Sequence, residues 1–299
     1  MSDWSPDVAR LVAFDDGEWL RVERTFAGRL YAYVARRVMD AQAREDIVQE
    51  SFLGAVRGIE SFDARFTFEQ YLFGICRNRT IDHLRRRRAL TMGAEEDDEG
   101  GSLLEQLPGE GESPSQAVRG ADLQEHGALL LGSILKDWVQ ETFEAGEFRR
   151  LMVIEALFLG GWRNRDTWRR FELRDETAVA GIKFRALKRL RELASRRDPS
   201  GDLLPALAEE PGKAPGSLDV AAVWRASRAS CPARHWLARH LAEVLEPEPS
   251  AFVAFHLDEM ECDWCQANRD DLAQREDALE PLLERVRAST AVLLRSRTT

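Results

Sequence analysis

Four side chains in the last third of the chain have the types and order of metal ligands: Cys231, His256, Cys262 and Cys265. A Cys-x-x-Cys pair with a histidine and one further cysteine makes a reasonable tetrahedral zinc set. His235 and His240 are spare histidines and read as surface or core residues. Cys76 has no ligand-spaced partner and fits a small buried apolar residue. A second kind of chemistry is written between residues 58 and 88. Phe62, Phe66 and Phe68 crowd a polar loop, with Tyr71 just after it. Such rings either anchor the loop on a core or offer stacking faces to unpaired bases, each worth ~1–3 kcal/mol. The run Arg85–Arg88 either ends a helix in solvent or holds phosphates. There is no nucleophile–base set, P-loop or dinucleotide fingerprint, so the chain does not read as an enzyme.

The charge is arranged in blocks. The 299 residues carry a net charge of −10, with 31% charged and 44% hydrophobic residues. From Arg65 to Arg88 seven bases face two acids, a net of +5. From Glu95 to Glu125 ten acids face one base, a net of −9. From Arg163 to Arg197 twelve bases face five acids, a net of +7. The acidic total therefore hides two basic segments suited to nucleic acid. No signal peptide and no apolar run near 18 residues is seen, so the expectation is a chain of the reducing cytoplasm, with no membrane contact and no structural disulfides.

The elements that must position these residues read as helices throughout, an all-α fold. Apolar positions recur at helical spacing over Trp19–Met39 and again over Ala43–Arg57, where Ile47, Val48, Phe52, Leu53 and Val56 form the stripe. Gly58–Phe68 is a loop, and Glu69–Arg88 is a helix with Asn78, Asp82, His83 and Arg85 off its apolar face. Ala89–Glu125 is a Gly-, Pro- and acid-rich tether. Helical pattern returns over Asp122–Leu159 and ends at Gly160-Gly161. Trp162–Arg197 then reads as helix-turn-helix: Asn164–Phe171, a turn at Leu173–Glu176, and a long helix from Thr177 to Ala194. A recognition helix reads bases with its first turns and holds phosphates with its flanks, which selects Thr177, Lys183 and Arg185 for the groove and Lys188 for the backbone. Asp198–Ser217 is a Pro-rich linker, and the remainder forms further amphipathic helices.

The string EDIVQESFLGAVRGIESFD followed by FEQYLFGICRNRTIDHLRRRR resembles region two of bacterial extracytoplasmic-function (group 4) sigma factors, over roughly Phe26 to Arg88. The resemblance implies that Asp46, Gln49, Glu50 and Phe52 dock on the clamp helices of the largest subunit of core RNA polymerase. It also implies that Phe62, Asp63, Phe66 and Phe68 in the loop, with Asn78, Asp82, His83 and Arg85 on the helix, capture and unstack the −10 element of promoter DNA. The segment IKFRALKRLREL resembles region four of the same family, which reads the −35 element. It departs where the family has Glu-Ile-Ala and Gly-Thr-Val, since Asp166-Thr167-Trp168 and Thr177-Ala178-Val179 stand there. The last hundred residues resemble a zinc-binding anti-sigma domain, in which a Cys-Pro helix precedes His-x3-Cys-x2-Cys. Here five residues separate His256 from Cys262. In a continuous helix the two extra residues would turn His256 by ~200°, off the site; a loop between the ligands would restore it.

These readings divide the chain into region two at 1–88, an acidic linker at 89–125, region four at 126–197, a linker at 198–217 and a regulatory extension at 218–299. The expected function is that of a sigma factor, with the extension folding back on the sigma domains. The alternative is a helix-turn-helix regulator or interaction protein without polymerase function.

Overall fold

The computed structural model describes residues 4–91, 117–197, 220–274 and 280–298. Of the acidic linker expected at 89–125, residues 92–116 lie outside the described residues, and helices reach into it from both sides, to Thr91 and from Ala117; the linker expected at 198–217 lies outside the described residues. In chain order the first helices are α1 (Val8–Val12), α2 (Asp16–Ala35), α3 (Ala41–Gly58) and α4 (Phe68–Thr91). Next come α5 (Ala117–Glu144), α6 (Phe148–Phe158), α7 (Asn164–Arg170) and α8 (Glu176–Arg197). The last are α9 (Val220–Ser227), α10 (Arg234–Leu241), α11 (Pro247–Asp258), α12 (Asp263–Ala273) and α13 (Glu280–Thr298). The described residues contain no strand, so the all-α expectation holds. No described helix is long and apolar enough to cross a membrane.

The helices gather into two compact units. One comprises Met1–Gly100, Ala233–Ala242 and Asp263–Thr299; the other comprises Gly101–Pro232 and Glu243–Cys262.

In the first unit, α2 buries Trp19, Val22, Phe26, Leu30 and Val34, a three-and-four spacing that makes one continuous stripe. That stripe meets Ile47, Val48, Phe52 and Val56 of α3 and Leu72, Phe73 and Cys76 of α4. Side-chain caps fix where these helices begin. Asp15 accepts from the Glu18 amide at 2.7 Å, and Asp40 accepts from the Ala43 amide at 2.7 Å. A reciprocal capping box opens α4: Thr67 Oγ1 accepts from the Gln70 amide, and Gln70 Oε1 accepts from the Thr67 amide. Cys76 is wholly buried and its thiol is pushed up to about 12 by that burial. It behaves as the small apolar residue its spacing suggested.

Helices from the far end of the sequence complete this core. On α13 every fourth residue is buried, at Leu282, Val286, Thr290 and Leu294. The three aliphatic side chains join the core of α2, α3 and α4. Trp264 of α12 meets Phe73 with ring centroids 3.8 Å apart. Asp270 holds Arg36 at 3.0 Å, and Asp263 pairs with Arg37. An amphipathic helix with one apolar stripe cannot close a core alone, so the helices of the 218–299 stretch are shared out between the two units.

In the second unit, α5 and α6 bury Leu131, Ile134, Leu135, Trp138, Leu151 and Ile154. α9 crosses α5 at Gly132, where a Cβ would lie 2.9 Å from the Ser227 Cβ; only glycine admits that approach. The Trp138 and Trp224 rings meet edge to face at 6.3 Å. α7 and α8 are joined by the turn at residues 171–175, and Asp175 caps α8 by accepting from the Ala178 amide at 2.9 Å. Their core holds Val153, Ala156, Phe171 and Val179, together with Phe255 from α11.

Candidate metal centre and nucleic-acid interface

The four expected ligands come together. One ligand atom from each of Cys231, His256, Cys262 and Cys265 lies within 4.8 Å of every other, so this group could hold a metal ion. The five-residue gap does not prevent it, because α11 stops at Asp258. The chain then turns through Glu261, whose φ is 47°, and the Cys262 amide donates to the His256 carbonyl at 3.4 Å. Loop geometry thus replaces the helical rotation that would have carried His256 away. Cys265 follows Cys262 by three residues, in the first turn of α12, so chain connectivity sets the two sulfurs side by side. His235 and His240 stand outside the group.

The histidine is oriented from behind. His256 is buried, and its Nδ1 donates to Glu155 Oε1 at 2.6 Å. Glu155, itself fully buried, also accepts from Ser230 Oγ at 2.5 Å, and Ser230 Oγ accepts from Trp224 Nε1 at 2.7 Å. His256 Nε2 is buried with no hydrogen-bond partner. A buried imidazole nitrogen set among three cysteine sulfurs outside any disulfide is what a metal site needs, and the carboxylate on the other nitrogen fixes ring and tautomer. Burial alone would push the imidazole down; the Glu155 carboxylate and then Cys262 outweigh it, holding the group well above its ordinary range. A metal on Nε2 would take the place of that proton.

Glu155 lies 101 residues from His256, so no spacing rule could have found it. Glu155→Gln is expected to weaken metal binding by about 10- to 100-fold, the usual effect of losing such a carboxylate. A competition titration with a chromophoric chelator measures it, and unchanged affinity would remove Glu155 from the site.

The expected polymerase and DNA residues fall into two classes. On α3, Asp46 and Glu50 are exposed and Gln49 is half-buried. Phe52 is 0% exposed and packs in the core, so it offers no face to a partner; it leaves the docking set. In the loop, Phe68 is likewise a core residue, with Phe26 and Trp19 around it at 6.2 and 6.0 Å. Phe62 is half-buried and meets Tyr71 edge to face at 5.3 Å. Gly58 ends α3 directly under the Tyr71 hydroxyl, 2.7 Å from where a Cβ would stand. Two of the three loop phenylalanines therefore anchor the loop, and Phe66, 38% exposed, is the one that presents a free face. Asp63 accepts from Arg65 Nε at 2.6 Å, and this contact holds its carboxyl below the usual range. On α4, Asn78, Asp82 and Arg85 follow the i, i+4, i+7 spacing of one helix face. Asn78 and Arg85 are exposed, while Asp82 and His83 are half-buried.

Residues 24–90 match Sigma-70 region 2. This segment is similar to a sigma-70 region 2 domain. Region 2 here comprises most of α2, all of α3 and nearly all of α4. The chain is 31% identical over 71 residues to a "Probable RNA polymerase sigma factor" of Haemophilus influenzae, covering 24% of this chain and 37% of that one. It is 31% identical over 100 residues to the "ECF RNA polymerase sigma factor SigW" of Bacillus subtilis, 33% of this chain and 54% of that one. It is 31% identical over 110 residues to the "ECF RNA polymerase sigma factor SigE" of Mycolicibacterium smegmatis, 36% of this chain and 40% of that one. The chain thus spans between 37% and 54% of the length of these curated relatives. No solved structure matches.

Outside region 2, Thr177, Lys183, Arg185 and Lys188 all lie exposed on α8. Between Lys183 and Arg185 stands Phe184, 65% exposed, which the sequence reading passed over. It was legible as an apolar residue off the buried stripe of Val179, Ala186 and Leu190.

Proposed function

We propose that this protein is a transcription initiation factor of the extracytoplasmic-function sigma type, acting without bond chemistry of its own. It binds core RNA polymerase through Asp46, Gln49 and Glu50, against the clamp helices of the largest subunit. Phe66 stacks on a base displaced from the −10 element, and Asn78, Asp82, His83 and Arg85 line the path of that strand beside Phe62 and Asp63. The helix pair α7 and α8 reads the −35 duplex with Thr177, Lys183 and Arg185, and Lys188 holds its backbone. The observation that carries this reading is the exposed Phe66 beside the polar face of α4, within the segment that matches Sigma-70 region 2. A reader of duplex DNA alone has no use for an exposed ring at that position. We place the protein in the cytoplasm, with its polymerase and promoter.

The metal in this reading is zinc. Bonds of about 2.3 Å to sulfur make a tetrahedral edge of about 3.8 Å, and Cys231 Sγ and Cys262 Sγ stand 3.7 Å apart. Four protein ligands leave no open position, so the ion's contribution is structural. The 218–299 extension regulates the sigma domains it folds with.

Run-off transcription with purified bacterial core polymerase tests the proposal. The full chain is expected to direct initiation, and Phe66→Ala to reduce open-complex formation by roughly tenfold, the loss of one base stack. If the chain neither binds core polymerase nor supports a transcript, the helix-turn-helix regulator without polymerase function takes its place.

A further inference from the structure

Tyr71 braces the loop that carries Phe66 from behind. It stands half-buried in the first turn of α4, and its hydroxyl donates to the Ala55 carbonyl at 3.2 Å. That carbonyl lies in the last turn of α3, where a helix runs out of backbone partners. Gly58 makes room for the contact. A Cβ there would stand 2.7 Å from the Tyr71 oxygen but 3.9 Å from Cζ, so the hydroxyl alone is what it would strike. The φ of Gly58 is −98°, an ordinary value, so space rather than backbone freedom calls for glycine.

The ring of Tyr71 reaches the loop as well. Phe62 meets it edge to face at 5.3 Å, and Phe68 lies 5.9 Å away. The turn that follows Phe62 is closed by the Phe66 amide, which donates to the Asp63 carbonyl at 3.0 Å. Beyond the turn, the Tyr71 amide donates to the Thr67 carbonyl at 3.1 Å. Tyr71 therefore holds the chain on both sides of the four-residue turn that displays Phe66, 38% exposed.

We propose that Tyr71 is a positioning residue for base capture: its hydroxyl latches the loop to the end of α3 and so presets the Phe66 ring for an unpaired base. A ring already held in place loses less freedom when a base stacks on it. Tyr71 touches no DNA in this role and acts through Phe66. This rests on the reading of Phe66 as a stacking residue given above.

The test uses the full chain bound to purified bacterial core RNA polymerase, and a promoter fragment recovered by selection with the wild-type complex. Permanganate oxidation of unpaired thymines reads the opening of the duplex. Tyr71→Phe removes one oxygen and keeps the ring. It is expected to reduce opening by roughly threefold to tenfold, the effect of one hydrogen bond, with polymerase affinity unchanged. In a Phe66→Ala background the same substitution is expected to add no further loss, because the ring it positions is gone. Equal losses in both backgrounds would make Tyr71 structural only, and no loss in either would remove the latch; each outcome overturns the proposal. Should Tyr71→Phe not fold, Gly58→Ala displaces the hydroxyl instead. The same dependence on Phe66 is expected of it, and equal losses with and without the Phe66 ring overturn the proposal. If no promoter is recovered, or if Phe66→Ala opens DNA as well as wild type, the reading of Phe66 has failed and the latch falls with it.

Discussion

Replacing Cys262 and Cys265 together by serine is expected to strip the chain of bound zinc and to destabilise the fold around residues 231–265 by several kcal/mol. The expectation follows from three contacts. Cys231 and Cys262 hold their sulfurs at a tetrahedral edge, His256 keeps a buried nitrogen unpaired, and Glu155 fixes the ring from the other side. Structural zinc in small domains contributes apparent binding energies of ~10–16 kcal/mol, much of it folding energy. Metal analysis of purified protein should give one zinc per wild-type chain and almost none in the double variant. His235→Ala, outside the group, should leave the zinc content unchanged. Thermal melts with and without a strong chelator should reproduce the destabilisation in the wild-type chain. Because protons compete for thiolates and imidazole, zinc should be retained near neutral pH and lost as pH falls. A wild-type chain that carries no zinc after metal-replete expression would eliminate the site.

Phe52→Ala is expected to lower stability by about 3–5 kcal/mol, the range for emptying a fully buried aromatic site. Phe52 is wholly buried among the core residues of α2, α3 and α4. The family resemblance would instead place it against polymerase, and a residue there would leave the melt alone. Gln49→Ala, one turn back on the polar side of α3, is the contrast: its melting midpoint should stay in place while polymerase affinity falls. A Phe52→Ala chain that melts like wild type would return Phe52 to the docking face and remove it from the core. Equal destabilisation by both substitutions would say that this side of α3 is structural throughout.

The tail changes how such variants are interpreted. Asp46 touches both the expected polymerase surface and Arg285 of α13. On the docking role proposed for Asp46, a substitution there is expected to weaken docking and loosen the internal contact together, so its effect on affinity is a difference of two terms. Gln49 and Glu50 report on docking more directly.

The sequence alone determined the helices and most of the local chemistry. Apolar residues at helical spacing set out α2, α3 and α4, while the caps at Asp15, Asp40 and Thr67 that fix where they begin were shown by the structure. Cys-x-x-Cys named two ligands, and the crowded loop named the region where bases would stack. These are local patterns, carried by neighbours in the chain, and local patterns are what a sequence displays. Tertiary structure decided whatever depends on distant partners. It made Phe52 and Phe68 core residues and left Phe66 exposed, because all three are phenylalanines and only packing tells them apart. It brought His256 to the cysteines through a turn at Glu261 and supplied Glu155 from across the unit. It set Thr290 against Glu23 and Arg285 against Glu45, pairs separated by more than two hundred residues, for which a hydrophobic period carries no signal. A helix with one apolar stripe announces that it must be covered, and only the folded chain shows what covers it.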